Sequence, residues 1–172
     1  MRKISMEKDY FQPIIILVIS FFYFQIANKI RPFNYPPIVI FLVFLIVFFI
    51  TIYFFYSLTQ VFNKKTELKS YFFTFSYTLF PTLTWFISNS IIYFFLPPPR
   101  TMSLLGKGFS ICFITFSISL LVWKIILIYL SLRFSSRLGF YRILYLILLY
   151  LIWFIPCSIF LYYLKIFRIP FI

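Results

Sequence analysis

The chain has 172 residues, of which 63% are apolar and 26% aromatic, against 11% charged. That leaves too little polar surface to cover a water-soluble globule, so the composition excludes an ordinary soluble domain and makes lipid the solvent for most of the outside. Sixteen basic residues against three acidic ones give a net charge of +13, but the basic residues stand in short clusters between apolar runs, which is the placement of headgroup contacts and orientation signals and not of a nucleic-acid-binding face.

A membrane-spanning helix needs about 20 mostly apolar residues. Five stretches meet or approach that length: 10–27, 36–60, 71–96, 109–132 and 141–164. The predicted fold is therefore all-α, a polytopic integral membrane protein with one membrane domain over 1–172, built as a bundle of five transmembrane helices. The first stretch follows Arg2, Lys3 and Lys8, as a signal peptide would. Ala27 is the only alanine, however, and no small-x-small cleavage site is present, so it reads as an uncleaved first span. Asn28-Lys29-Ile30-Arg31-Pro32 ends it, and Pro36-Pro37 opens the second span, where proline fits a helix's first turn. Phe, Ile, Leu, Val and Tyr dominate these two spans, which read as lipid-facing or packing helices. Tyr53 and Tyr56 fit an interfacial aromatic belt.

The third stretch is the most patterned. Thr74, Thr78, Pro81, Thr82, Trp85, Ser88 and Asn89 fall on one helical face. In lipid such a stripe turns toward other helices, either as a packing seam or as the lining of a ligand site or wet crevice. Pro81 removes one backbone donor and, in a continuous helix, frees the carbonyl of Tyr77. In the fourth stretch Gly108, Cys112, Thr115 and Ser119 form a face of small residues, expected to meet a neighbouring helix or a second copy. Lys124 is the only charge well inside a span, at an insertion cost of roughly 2.5–3.5 kcal/mol. It lies about 12 Å below the boundary at Leu132, and the Tyr77 carbonyl about 9 Å below it. Lys124 is expected either to bond Tyr77 or Thr78 or to snorkel to headgroups. Pro156 frees the carbonyl of Ile152 in the same way in the fifth stretch. Cys112 and Cys157 have no zinc or redox spacing and read as small buried thiols, a disulfide between neighbouring helices being the alternative.

Catalytic chemistry is poorly supplied. Histidine is absent, and Glu7, Asp9 and Glu67 all fall at one predicted boundary, so no carboxylate pair lies within the membrane. Gly106-Lys107-Gly108 is too short to cradle a phosphate. A Ser–Lys dyad through Lys124 is the one nucleophilic arrangement available. The expectation is a non-enzyme with no metal and no cofactor.

The stretch Tyr71-Phe72-Phe73-Thr74-Phe75-Ser76-Tyr77-Thr78-Leu79-Phe80-Pro81 follows a basic linker. Trp123 stands in the next span, which runs into Leu130-Ser131-Leu132-Arg133-Phe134-Ser135-Ser136 before a final apolar helix. Over about residues 63–165 this arrangement resembles the Yip family of five-span membrane proteins, named for interaction with Rab-type GTPases. The resemblance implies a cytoplasmic N-terminus and a role in membrane organisation or trafficking. The long cytosolic region of the larger eukaryotic members has no counterpart in residues 1–9, so the likeness is to compact prokaryotic members and a Rab-binding role does not carry over. Tyr77, Thr78, Pro81, Trp85, Asn89, Trp123 and Lys124 become the candidate centre. Lys64, Lys65, Lys69, Arg133, Arg137 and Arg142 become the candidate contacts to anionic headgroups. The expected partners are the bilayer and a membrane protein or second copy, with no nucleic acid. The alternative function is a small transport component, since broken helices near the midplane mark transporter sites.

With five spans, nine basic residues share the side of the N-terminus and six the other. The positive-inside rule then predicts a cell-membrane protein with its N-terminus in the cytoplasm and its C-terminus outside. A reporter enzyme active only in the cytoplasm, fused after Ile172, is expected to stay silent; activity there would reverse the orientation.

Overall fold

A computed structural model describes residues 11–30, 32–62, 66–95 and 104–167. Among them are six α-helices and no strand: α1 (Phe11–Ile30), α2 (Pro37–Phe62), α3 (Leu68–Ser76), α4 (Leu79–Phe95), α5 (Leu104–Ser136) and α6 (Phe140–Tyr163). Four of these helices, α1, α2, α5 and α6, are long and apolar enough to cross a membrane. Their outward side chains are large and apolar as well: Phe11, Phe22, Ile46, Ile111, Ile118 and Ile152 are each more than half exposed. A continuous apolar surface of this extent is stable in hydrocarbon and not in water. The protein is an all-helical membrane protein.

The third predicted span differs from expectation. It is two helices, α3 and α4, interrupted at Tyr77-Thr78. Pro81 does not kink a continuous helix; it occupies the first turn of α4. The first four N–H groups of a helix have no intrahelical acceptor, so a proline there forfeits no bond. Restarting the helix is cheaper than carrying proline through its interior. Pro156, by contrast, lies inside α6, which continues to Tyr163, and Ile152, whose carbonyl it frees, is on the outer surface.

The core runs the length of α2, which packs against α1, α3 and α6. Ile40, Phe44, Phe48, Ile52 and Phe55 face inward at helical spacing. Rings carry much of the contact: Phe24 meets Phe86 edge-on at 5.7 Å, and Phe55 lies 4.8 Å from Tyr150 and 5.2 Å from Phe75. The opposite flank is α5, a helix of 33 residues, roughly 50 Å long and so longer than the hydrocarbon core. Both α3 and α4 pack on it. Its inward positions are Phe113, Ser117, Leu120, Lys124, Ile128, Ser131 and Ser135, in steps of three and four.

That choice of face turns the small residues away from the neighbouring helices of this chain, one of the two contacts expected for them. Gly108, Cys112, Thr115 and Ser119 lie on the exposed side of α5, and a methyl group placed on Gly108 would meet no atom within 4 Å. Cys112 is likewise exposed instead of buried, and neither it nor Cys157 forms a disulfide. The hydroxyls of Thr115 and Ser119 donate within α5 itself, to the carbonyls of Ile111 and Thr115.

Two non-glycine residues close helices in the left-handed region, Arg137 after α5 (φ 56°) and Lys165 after α6 (φ 57°). At Lys165 the termination is a Schellman motif: its N–H reaches the Tyr162 carbonyl at 2.8 Å and the Ile166 N–H reaches Leu161 at 3.2 Å. Glycine adopts this conformation without the Cβ clash, which costs about 1 kcal/mol. Lys165→Gly is therefore expected to stabilise the protein by up to about 1 kcal/mol in detergent unfolding, and Lys165→Val to destabilise it. Equal stability of the two variants would refute this account of the helix end.

Candidate functional site

The interruption between α3 and α4 creates a local backbone problem. In a continuous helix the Thr78 N–H would bond the Thr74 carbonyl. Here it bonds Phe75 instead, at 2.9 Å. The Thr74 carbonyl is met from α5 by the Ser131 hydroxyl at 3.0 Å. One turn away, the Ser135 hydroxyl lies 2.8 Å from that of Thr74 and 3.2 Å from the Ser70 carbonyl. Tyr71, fully buried on the other side of α3, pairs with Thr59 of α2 at 2.5 Å. Hydroxyls on three helices thus close around α3, where hydrocarbon offers no water to take their place.

The candidate centre disperses around this seam. The Tyr77 hydroxyl bonds Gln12 of α1, and its carbonyl accepts the Phe80 N–H at 3.2 Å, so the expected bond from Lys124 to Tyr77 is not formed. Thr78 donates to Phe75 at 2.7 Å. Pro81 is fully buried. The Trp85 indole N–H donates to Ser117 of α5 at 3.0 Å. Asn89 borders a cavity of about 50 Å³ between α1 and α4, where the Tyr23 hydroxyl bonds the Phe86 carbonyl and Ser90. Trp123 is 42% exposed on the outer face and belongs to none of these contacts. Lys124 is half-buried on the inner face of α5, in a second cavity of about 50 Å³ shared with Thr78 and Thr82 of the interruption, Thr51 of α2 and Tyr150 of α6.

The basic residues gather at one end. Lys69 is in the first turn of α3, Arg133 and Arg137 are at the end of α5, and Arg142 is in the first turn of α6. The Ser70–Ser135 contact joins the first two elements, and the Arg142 guanidinium lies 5.7 Å above the Phe62 ring at the end of α2. All four basic side chains are exposed. Lys64 and Lys65 lie outside the described residues.

Tyr71, Ser131 and Ser135 stand within the family stretches with no contact expected of them, and Ser117, Thr59, Tyr150 and Tyr23 stood outside every expectation. A signal for two of these positions, in register with Lys124, was present. Ser117, Lys124 and Ser131 recur every seven residues, two helical turns apart, and so mark one face of α5. The tyrosines carried no comparable signal, because their bonds join different helices, with Tyr150 and Tyr23 reaching partners 99 and 67 residues away.

Removing the Ser131 hydroxyl leaves the Thr74 carbonyl without its partner. Ser131→Ala is expected to cost about 1 kcal/mol in mixed-micelle unfolding, within the range of interhelical bonds in membranes. Ser119→Ala, which removes a hydroxyl bonded within its own exposed face, is expected to cost close to nothing. Equal effects would show that the α3–α5 seam does not hold the interruption. No protein-family model, curated protein or solved structure matches the chain.

Proposed function

We propose that the chain is a five-span integral membrane protein of the Yip type, in which α3 and α4 together make the third span and the basic end faces the cytoplasm. From Leu68 to Phe95 the pair reaches roughly 40 Å at 1.5 Å per residue, long enough for the hydrocarbon core. Its work is non-catalytic: it organises the membrane around it or scaffolds another membrane protein. The observation that carries this reading is the convergence of Lys69, Arg133, Arg137 and Arg142, all exposed, on one end of a packed bundle. Such a ring of cations attracts anionic headgroups, each residue contributing about 1 kcal/mol near a charged leaflet. The absence of histidine and the scarcity of carboxylates in the sequence support a role in contact over reaction. The aromatic start of the third span with Tyr77 and Pro81, and the serine-rich end of α5, support the family.

A small transport component is the second reading, and the helix interruption beside Lys124 is what favours it. A cavity of about 50 Å³ is well below the roughly 300 Å³ at which sites for organic ligands begin. The scaffold reading therefore stands first.

The test is lipid selectivity. The chain is reconstituted in nanodiscs of mixed zwitterionic and anionic lipid, and retained lipids are counted by native mass spectrometry. Wild type is expected to retain anionic lipid. The triple variant Arg133→Gln, Arg137→Gln, Arg142→Gln is expected to lose that preference by on the order of a hundredfold in exchange constant. Unchanged retention in the variant would remove the headgroup role.

A further inference from the structure

Every threonine hydroxyl among the described residues but one has a hydrogen-bond partner. Thr51, Thr74, Thr84 and Thr115 donate to the carbonyl four residues back. Thr78 donates three back, Thr59 pairs with Tyr71, and Thr66 accepts from Gln60. The Thr82 hydroxyl is buried and has no partner among the described residues. Thr82 is 7% exposed and sits in the first turn of α4, on the wall of the cavity between α2, α4, α5 and α6. An orphaned buried hydroxyl carries a desolvation cost that a bound group would relieve.

The same cavity holds Lys124, the charge farthest from a helix end among the described residues. Lys124 lies near the middle of α5, and no acidic residue lines the cavity with it. Neither a hydrogen bond nor an ion pair holds it among the described residues. An ammonium at this depth cannot be carried to the headgroups by its own side chain, which spans only part of the roughly 18 Å to the end of the helix. The helix interruption opens on the same space: Phe75 in the last turn of α3, and Thr78 and Leu79 at the start of α4, all line it. Two features that suit an anion thus converge: a cation and a hydroxyl free to donate.

We infer that this cavity is a binding site for one monovalent anion, a halide or the carboxylate of an amphiphile, held by the Lys124 ammonium and the Thr82 hydroxyl. One negative charge matches one lysine. The volume of about 50 Å³ is several times the roughly 10–15 Å³ that one water needs by the same measure, room for a halide or a carboxylate. Phe44, Phe48, Phe154 and Leu161 complete the walls. They exclude water, which strengthens the ionic contact and accommodates the first methylenes of an acyl chain. Binding does not depend on either reading of the protein's function, because it needs no residue of the basic end and no transport step.

The test uses the full chain purified in a non-ionic detergent with gluconate as the only bulk anion, and radiolabelled chloride and laurate as separate probes. Saturable binding of at least one probe is expected. Lys124→Gln is expected to weaken it by about tenfold or more, and Thr82→Val by about fivefold. Thr115→Val, on the exposed face of α5, should leave it unchanged, and Lys124→Arg should retain part of it. Chloride alone, laurate alone, or both in competition each support the site and identify its source. No saturable binding of either probe to wild type overturns it. So does a Lys124→Gln variant that elutes and unfolds as wild type does and still binds normally. Wild type that retains no anionic lipid in nanodiscs, or a triple variant that retains it unchanged, would sink the headgroup role and, with intact probe binding, leave this site standing.

Discussion

The carbonyl of Thr74 is the atom on which the arrangement of this bundle turns. Interrupting a helix inside a membrane leaves backbone groups that water cannot reach, and each must find a partner in protein. Ser131 supplies that partner from α5 at 3.0 Å. Once that bond is made, the rotation of α5 is set. Ser135 falls against Ser70 and Thr74, Ser117 against Trp85, and Lys124 against the interruption itself. The small-residue face of Gly108, Cys112, Thr115 and Ser119 is thereby turned outward. Backbone satisfaction outweighed the close packing that small residues allow.

This ordering of effects explains which parts of the structure could be read from the chain. Hydropathy and turn residues located the helices to within a few residues, because a run such as Pro37–Phe62 has no alternative environment to lipid. The interruption at Tyr77-Thr78 was not legible from Pro81 alone. A proline reports a missing donor, and the same residue suits a kink in one helix or the first turn of the next. What decides between them is whether a neighbour can take up the displaced carbonyl. That neighbour, Ser131, lies 57 residues away. Which face of α5 turns toward its own neighbouring helices was hidden for a related reason. Residue size favours Gly108 to Ser119, whereas the polar heptad of Ser117, Lys124 and Ser131 marks the face actually buried.

The candidate centre divides along the same line. Residues chosen for a backbone or hydroxyl effect, namely Tyr77, Thr78, Pro81 and Trp85, lie at or just below the interruption, because α3 and α4 are consecutive and both lean on α5. Trp123 was chosen for its family likeness, and one residue's difference along α5 carries it outward from Lys124. Adjacent helical positions point about 100° apart, so a resemblance in sequence neighbourhood does not place two side chains in one site.

Hydroxyls in the bundle fall into two groups with different consequences. Those that donate back along their own helix, such as Ser20, Ser76 and Ser119, are satisfied before any tertiary contact forms and add little to the choice of partner helix. Those that cross, such as Ser131, Ser135, Tyr150 and Tyr23, form only when the right faces meet, and so distinguish this packing from the many others open to helices coated in Phe, Ile and Leu. Thr82 and Lys124 belong to neither group. Both could be replaced by apolar residues of similar size at no loss of any hydrogen bond formed within the bundle, and a lysine in this position works against insertion. Their shared place at the helix interruption is therefore accounted for by what enters the cavity and not by what holds it together.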